Sequence, residues 1–258
     1  MPALPDHSKL SVRQFAERFR GEMIPLSNTF SYYCASGPMS EEDLKEYLEE
    51  PVGALPPAIV KTLPKISILL VPYLERSSEK KRAESALADY VSIERPPDGR
   101  QSTFTHLKLG EETLFAFGLK ELEVAEYHYR FYHQLASLMA EHWSEELETK
   151  YSRILAEEIS AEVHGEVDEA SWRLKQALRR SKNPRGAKGS TAFRAYARQS
   201  FADTLTLFLH GICCDIDVET GPRQLPSRYL RKRLLLLAEL FPPPKGYSVF
   251  PEDLSAEG

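Results

Sequence analysis

The amino-acid sequence predicts an α+β protein, with a small, mostly antiparallel sheet in the first half packed against a helical second half. Strand-like apolar runs are confined to residues 66–119, and helical periodicity dominates residues 120–240. Strands grouped together and followed by grouped helices are typical of this class. With 258 residues, 42% of them hydrophobic, the chain can bury a substantial core. We expect one domain over residues 11–241, with a flexible N-terminus (1–10) and a flexible Pro-containing tail (242–258).

Three short helices are predicted within residues 11–64. Ser11 and Ser40 are residues that favour helix N-caps, because a hydroxyl can accept a hydrogen bond from a free backbone N–H. Asp43, three residues after Ser40, gives a weak form of the capping box. Pro57 fits the first turn of the third helix, where its missing N–H carries no penalty.

Three or four strands are predicted in the middle of the chain. Ile66–Val71 is apolar and rich in β-branched residues, and Tyr90–Ile93 is a second candidate. Thr103–Leu109 and Thr113–Leu119 alternate in polarity on either side of Gly110-Glu111-Glu112. That arrangement predicts a β-hairpin.

Long helices are predicted over the second half. Residues 120–143 and 145–180 each carry an apolar stripe at helical spacing. Ser190 or Thr191 caps the next helix, and a last helix covers about Ser227 to Leu240.

The charge changes sign along the chain. Residues 1–170 hold 18 basic and 30 acidic residues, a net −12, whereas residues 171–258 hold 15 basic and 8 acidic residues, a net +7. Between Glu169 and Asp203 there are nine basic side chains and no acidic one. This break predicts either a site for a polyanion or an internal electrostatic contact.

A basic helix–loop–helix is the first candidate site. Its loop, residues 181–190, leads into a helix whose N-terminal N–H groups attract anions. The wider basic surface covers residues 173–198 and 223–233. Nucleic acid is possible but not favoured, because the whole chain is net −5 and no aromatic platform for bases is evident. The candidate anion-binding residues are Arg179, Arg180, Arg185, Lys188 and Arg194.

A stripe of carboxylates is the second candidate. Glu158, Glu162, Glu166 and Glu169 follow i, i+4, i+8, i+11, so they lie close together on one face of the predicted helix. The first three carry the hypothesis. They are candidate catalytic residues of a metal-dependent hydrolase, with His164 on another face of the same helix. The histidines available to such an enzyme are His128, His133, His164 and His210.

The segment Glu157-Glu158-Ile159-Ser160-Ala161 resembles the His-Glu-x-x-His motif of zincin-type metallopeptidases. The preceding strands and hairpin and the long helix follow the same order. Glu158 matches the general base, whereas Glu157 and Ala161 stand where the zinc-binding histidines are found. The resemblance covers one residue of a five-residue motif, and it implies a zincin-like protein that has lost its zinc ligands.

The remaining histidines and the cysteines offer weaker metal chemistry. His128 and His142 fall on the apolar face of their helix, so we expect both to be buried. His210, Cys213 and Asp215 are candidate metal ligands, but zinc sites rarely use adjacent cysteines such as 213 and 214. We therefore expect no cofactor and no stoichiometric zinc.

These observations favour a non-enzymatic interaction protein with an acidic helix face, a basic helix–loop–helix and an unknown protein partner. The alternatives are a polyanion or nucleic-acid binder and a metal-dependent hydrolase or zinc-free zincin relative. No window has the roughly 20 apolar residues of a membrane helix, so no membrane partner is expected. Three cysteines and a polar N-terminus without a signal-peptide pattern indicate the cytoplasm.

Overall fold

A computed structural model describes residues 10–76, 89–180, 190–214 and 223–250. Within it the chain forms two compact units. Unit 1 comprises residues 1–50 and 63–128, and unit 2 comprises residues 51–62 and 129–258. The prediction of one domain over residues 11–241 stays a prediction.

Unit 1 is built on a mixed five-stranded sheet and a small three-stranded sheet. The strands are β1 (Ile24–Pro25), β2 (Phe30–Cys34), β3 (Ile66–Val71), β4 (Tyr73–Glu75), β5 (Tyr90–Ser92), β6 (Gln101–Ser102), β7 (Phe104–Leu109) and β8 (Glu112–Gly118). The five-stranded sheet has the order β1-β2-β3-β8-β7, and the smaller one has the order β5-β4-β6. Four of the six strand pairs are antiparallel, whereas β3 pairs in parallel with both β2 and β8.

The predicted strands of the middle region are confirmed, and β3 lies at the centre of the sheet with every residue buried. The hairpin is formed by β7 and β8, with Gly110 in the turn at a φ of 67°. Strand β2 was not predicted, because Phe30–Cys34 shows no alternation of buried and exposed positions. Its extended conformation depends on hydrogen bonding to β3, a partner distant in the sequence.

Short helices complete unit 1. Helix α1 (Val12–Arg18) has a capping box in which Ser11 and Gln14 cap each other's backbone, and Phe15 packs into the same core as Leu69 and Leu114. Ser40 caps α2 (Glu41–Leu44) by accepting a hydrogen bond from Asp43 N, as predicted. The chain then continues through a π-helical turn, Lys45–Glu49.

Unit 2 is helical. Ser144, Asp168 and Ser190 cap α6 (Glu145–Ser160), α7 (Glu169–Arg179) and α8 (Thr191–Cys213) with side-chain oxygens. Of the two caps predicted for α8, Ser190 is the one present, and Thr191 is the first helical residue. Its core includes the edge-to-face contact of Tyr151 with Phe201, whose ring centroids are 5.4 Å apart. Helix α5 starts in unit 1 and continues into unit 2. The remaining helices are α3 (Glu50–Gly53), α4 (Pro57–Val60), α5 (Val124–Glu141) and α9 (Ser227–Leu240).

The predicted single helix over residues 145–180 is wrong, because the chain leaves helical geometry after Ser160 and re-enters it at Glu169. Glu162 and Gly165 in the connection have positive φ angles of 56° and 82°. This turn brings Glu166 into a bridge with Gln224. The apolar spacing continues across the break, so periodicity alone could not reveal it.

Residues 242–250, the first part of the predicted tail, pack on unit 2. Phe250 is buried, and the guanidinium of Arg231 lies 4.4 Å from the centre of its ring. Within the described ranges, no helix combines the length and apolar character needed to span a bilayer.

Candidate functional site

A cluster of charged and hydroxyl side chains lies in the interior of unit 2. Each side chain is at most 1% exposed, which is rare for Glu, Lys and Arg. They come from the end of α6, the turn before α7, and helices α7, α8 and α9. We call this set the buried ionic cluster: Glu158, Glu166, Lys175, Tyr196, Ser200 and Arg233.

Arg233 is the centre of the cluster. Its Nε and Nη2 donate to the two carboxylate oxygens of Glu158, at 3.0 and 2.5 Å. Its Nη1 and Nη2 donate to Glu166 at 2.8 and 2.9 Å, and Nη1 also donates to Ser200 Oγ at 2.8 Å. A guanidinium has five N–H donors, so this set provides one acceptor for each.

Glu166 joins the other members of the cluster to Arg233. It accepts hydrogen bonds from Lys175 Nζ at 3.1 Å, from Ser200 Oγ at 3.3 Å and from the Tyr196 hydroxyl. Lys175 Nζ also donates to Gly165 O at 2.8 Å. The cluster contains two carboxylates and two cations, so its net charge is zero. Charged side chains can be buried in a protein interior only when they are paired in this way.

The pKa of Glu166 depends on the opposing effects of burial and of the groups that donate hydrogen bonds to its carboxylate. Burial by itself would raise the pKa, but the Arg233 guanidinium, Lys175 and the Tyr196 hydroxyl lower it to about 2. Burial lowers the pKa of Lys175, and burial together with the adjacent Glu166 carboxylate raises the pKa of Tyr196. The carboxylate of Glu166 therefore stays ionised throughout the neutral range.

The predicted acidic helix face is wrong. Glu158 and Glu166 point into the cluster, whereas Glu162 and His164 are exposed in the turn between α6 and α7. These residues therefore do not share one surface, and the carboxylates of Glu158 and Glu166 both pair with Arg233. Their catalytic role stays a hypothesis. His164 Nδ1 accepts a hydrogen bond from Arg179 Nη1 at 2.8 Å.

Two cations that the sequence assigned to the basic surface, Lys175 and Arg233, lie in the interior instead. The internal contact suggested by the charge break is therefore present, and it joins Glu158 and Glu166 to these two cations. Among the predicted anion-binding residues, Arg180 and Arg194 are exposed and Arg179 is half-buried. Arg185 and Lys188 lie outside the described residues.

The predicted histidines differ in their burial and in their contacts. His128 is buried and its Nε2 lies 2.8 Å from Glu46 O, as expected, but His142 is exposed, with its side chain 70% accessible, so that prediction is wrong. His142 follows the end of α5 at Glu141, where the apolar face of the helix stops. His133 packs beside the Tyr129 ring.

The weak metal candidates lie at the end of α8. The His210 ring packs against Tyr129 and Tyr132, with centroid distances of 6.4 and 6.0 Å. Cys213 is half-buried and forms no disulfide. Asp215 lies outside the described residues, so the metal role of this segment stays untested.

Arginines stacked on aromatic rings form a second feature of unit 2. The guanidinium of Arg223 lies 4.9 Å from the centre of the Trp172 ring, and that of Arg228 lies 4.6 Å from the centre of the Tyr229 ring. Both arginines are exposed, and both rings are half-buried. Trp172 was not predicted as a partner of Arg223, because most of two helices separate the two residues in the sequence. We call these four residues the stacked-arginine surface.

No known protein family, no curated protein and no solved structure shows significant similarity to this chain.

Acid is expected to weaken the buried ionic cluster through Glu166. Because its folded-state pKa of about 2 lies below the ordinary 4.5, its stabilising effect is present above about pH 4.5 and is lost as the pH falls toward 2. The difference corresponds to about 3 kcal/mol at neutral pH. Urea unfolding should show a smaller loss of stability between pH 6 and pH 3 for Glu166→Gln than for the wild type. Equal losses would contradict this assignment.

Proposed function

We propose that this protein is a non-enzymatic interaction protein, and that unit 2 binds an acidic segment of a protein partner through the stacked-arginine surface. The observation that carries the proposal is the stacking of Arg223 on Trp172 and of Arg228 on Tyr229. The guanidinium of Arg228 is fixed further, because its Nη2 donates a hydrogen bond to the Tyr229 hydroxyl at 3.1 Å. A guanidinium held against a ring still has N–H donors for a ligand. It also has less conformational freedom to lose on binding.

The burial of Glu158 and Glu166 supports a cationic binding surface. Glu158 and Glu166 are neutralised inside unit 2 by Arg233 and Lys175. These carboxylates cannot offset the charge of the exposed arginines. The buried ionic cluster also connects α6, α7, α8 and α9, so it supplies a rigid support for the surface.

The surroundings of the surface favour an acidic protein segment over nucleic acid. Arg173 is paired with Glu169 at 2.9 Å, and Lys232 is paired with Glu157 at 2.5 Å. These pairs interrupt the continuous line of cations that a phosphate backbone requires. A few rigid arginines separated by acidic residues are better suited to individual carboxylates, which guanidinium groups bind in a bidentate manner.

A cytoplasmic location is part of this proposal. It is supported by three cysteines, Cys34, Cys213 and Cys214, none of which forms a disulfide. The zincin resemblance at Glu158 is compatible with the same function, since a relative without zinc ligands would retain binding and lose hydrolysis.

The proposal is tested by fluorescence anisotropy with a labelled peptide rich in Glu and Asp. Replacing Arg223 and Arg228 together with Gln is expected to weaken binding about tenfold or more, because two charge-assisted contacts are lost. Arg198→Gln with Lys245→Gln is the matched control, since it removes the same charge from exposed positions of unit 2 that belong neither to the stacked-arginine surface nor to the groove described below.

An equal loss in both double variants would show nonspecific attraction and would contradict the proposed surface. A single-stranded oligonucleotide of equal charge provides the second comparison. Tighter binding to the oligonucleotide than to the peptide, with a steep dependence on salt, would indicate that the partner is nucleic acid and not a protein.

A further inference from the structure

We propose that a groove between α6 and α8 binds a short zwitterionic peptide. The groove has a volume of about 480 Å³, within the range of small-molecule sites. It is separate from the stacked-arginine surface, and the proposal does not depend on the function proposed above. Its lining consists of Glu145, Glu148, Thr149, Ser152 and Arg153 from α6 and of Phe193 and Arg194 from α8.

The charges of the groove are arranged in two groups. Glu145 and Glu148 lie in the first turn of α6, whereas Arg153 follows further along the same helix and Arg194 lies across the groove in the first turn of α8. The glutamates are favoured as carboxylates at this helix end by the helix dipole. Along α6, the lining therefore changes from acidic side chains to a basic one, and α8 adds a second basic side chain.

These four side chains lack the ion pairs that their neighbours make. On the same helix, Glu146 pairs with Lys150 at 2.9 Å, and Glu157 pairs with Lys232 at 2.5 Å. Among the residues that the structure describes, none of the four lining charges forms such a pair. Arg153 lowers the pKa of Glu157 less than Lys232 does, and the ion pair of that carboxylate is with Lys232.

The spacing of the charges sets the size of the ligand. With a rise of 1.5 Å per residue, Glu148 and Arg153 are separated by roughly 7 Å along α6, and Glu145 and Arg153 by roughly 12 Å. An extended chain covers roughly 3.4 Å per residue, so the free ends of a di- or tripeptide span a similar distance. The ligand ammonium would lie at Glu145 and Glu148, and its carboxylate at Arg153 and Arg194.

The middle of the groove suits a peptide. The hydroxyls of Thr149 and Ser152 lie between the two charged groups and can donate to or accept from a peptide unit. Phe193, which is 4% exposed, provides an apolar floor for one side chain. This combination of two opposite charges, hydroxyls and one ring differs from a simple cation or anion site.

Isothermal titration calorimetry with trialanine and its end-capped forms tests the proposal. N-acetylation removes the ammonium and C-amidation removes the carboxylate, so each is expected to weaken binding by about tenfold. Equal affinity of the free and capped peptides, or no measurable binding of any form, would overturn the proposal.

Substitutions assign each end of the peptide. In Glu148→Gln, N-acetylation should weaken binding less than it does in the wild type, because only Glu145 remains for the ammonium. In Arg194→Gln, C-amidation should likewise weaken binding less, because only Arg153 remains for the carboxylate. Glu146→Gln and Arg198→Gln are controls with the same charge changes outside the groove, and both should retain the two discriminations. Circular dichroism of each variant establishes that it is folded. Loss of discrimination in the controls as well as in the groove variants would contradict the assignment.

Discussion

Replacing Arg233 with Met is expected to lower the free energy of unfolding of unit 2 by about 3–5 kcal/mol. The substitution keeps most of the aliphatic volume but leaves Glu158 and Glu166 buried and opposed by a single cation, Lys175. Five hydrogen bonds are lost at once, and the carboxylates cannot recover them from water because the cluster is at most 1% exposed.

Tryptophan fluorescence during urea unfolding measures the free energy of unfolding of unit 2. The chain has two tryptophans, Trp143 and Trp172, and both belong to unit 2. Lys232→Met is the matched control, because it removes a neighbouring cation whose pair with Glu157 is exposed to solvent. It should change stability little, since exposed ion pairs contribute weakly.

The pH dependence of the lost stability of Arg233→Met distinguishes the loss of a charge from the loss of packing. Without Arg233 the pKa of Glu166 should rise, so proton uptake relieves the unpaired charge and the deficit of Arg233→Met should shrink as the pH falls from 7 to 5. A deficit as small as that of Lys232→Met at pH 7 would show that the cluster does not stabilise unit 2. A large deficit that does not change with pH would indicate packing as its source.

The second large effect is expected at Gly165, where replacement with Ala should destabilise unit 2 by about 3 kcal/mol. The φ angle of Gly165 is 82°, and a Cβ would overlap the backbone carbonyl of Gln224. Backbone atoms cannot move aside as a flexible side chain can. The substitution would therefore separate the turn before α7 from the segment that leads into α9.

Gly246→Ala is the matched control, because Gly246 has a φ angle of 89° and nothing lies within 4 Å of its added Cβ. It measures the cost of the positive φ angle without the overlap. The same fluorescence experiment applies to both variants. Equal destabilisation by the two substitutions would contradict a role for the Gly165–Gln224 contact.

Several local features of the fold were predictable because their causes are local. Ser11, Ser40 and Ser190 cap helices through hydrogen bonds to residues three positions ahead, and all three caps were predicted from the sequence. Strand β3 and the β7–β8 hairpin follow from an apolar run and from alternation around Gly110. The α+β class follows from the order of these elements.

The features that were not predicted depend on contacts between residues distant in the sequence or on the exact end of a helix. The break between α6 and α7 depends on Gly165 and Glu166 meeting the segment 223–225, which a helical pattern cannot reveal. Strand β2 depends on a parallel neighbour. His142 sits just beyond the end of α5, and helix ends are poorly fixed by periodicity.

By itself, the sequence determined the helix caps, the hairpin, the fold class and the existence of a charge break, because each depends on neighbouring residues or on simple counts. Only the tertiary structure decided which charges are surface groups and which are core groups. Arg233 and Arg231 are two residues apart and chemically identical, yet Arg233 is buried against two glutamates and Arg231 stacks on Phe250. Their difference arises from the direction in which α9 presents each side chain to the packed helices.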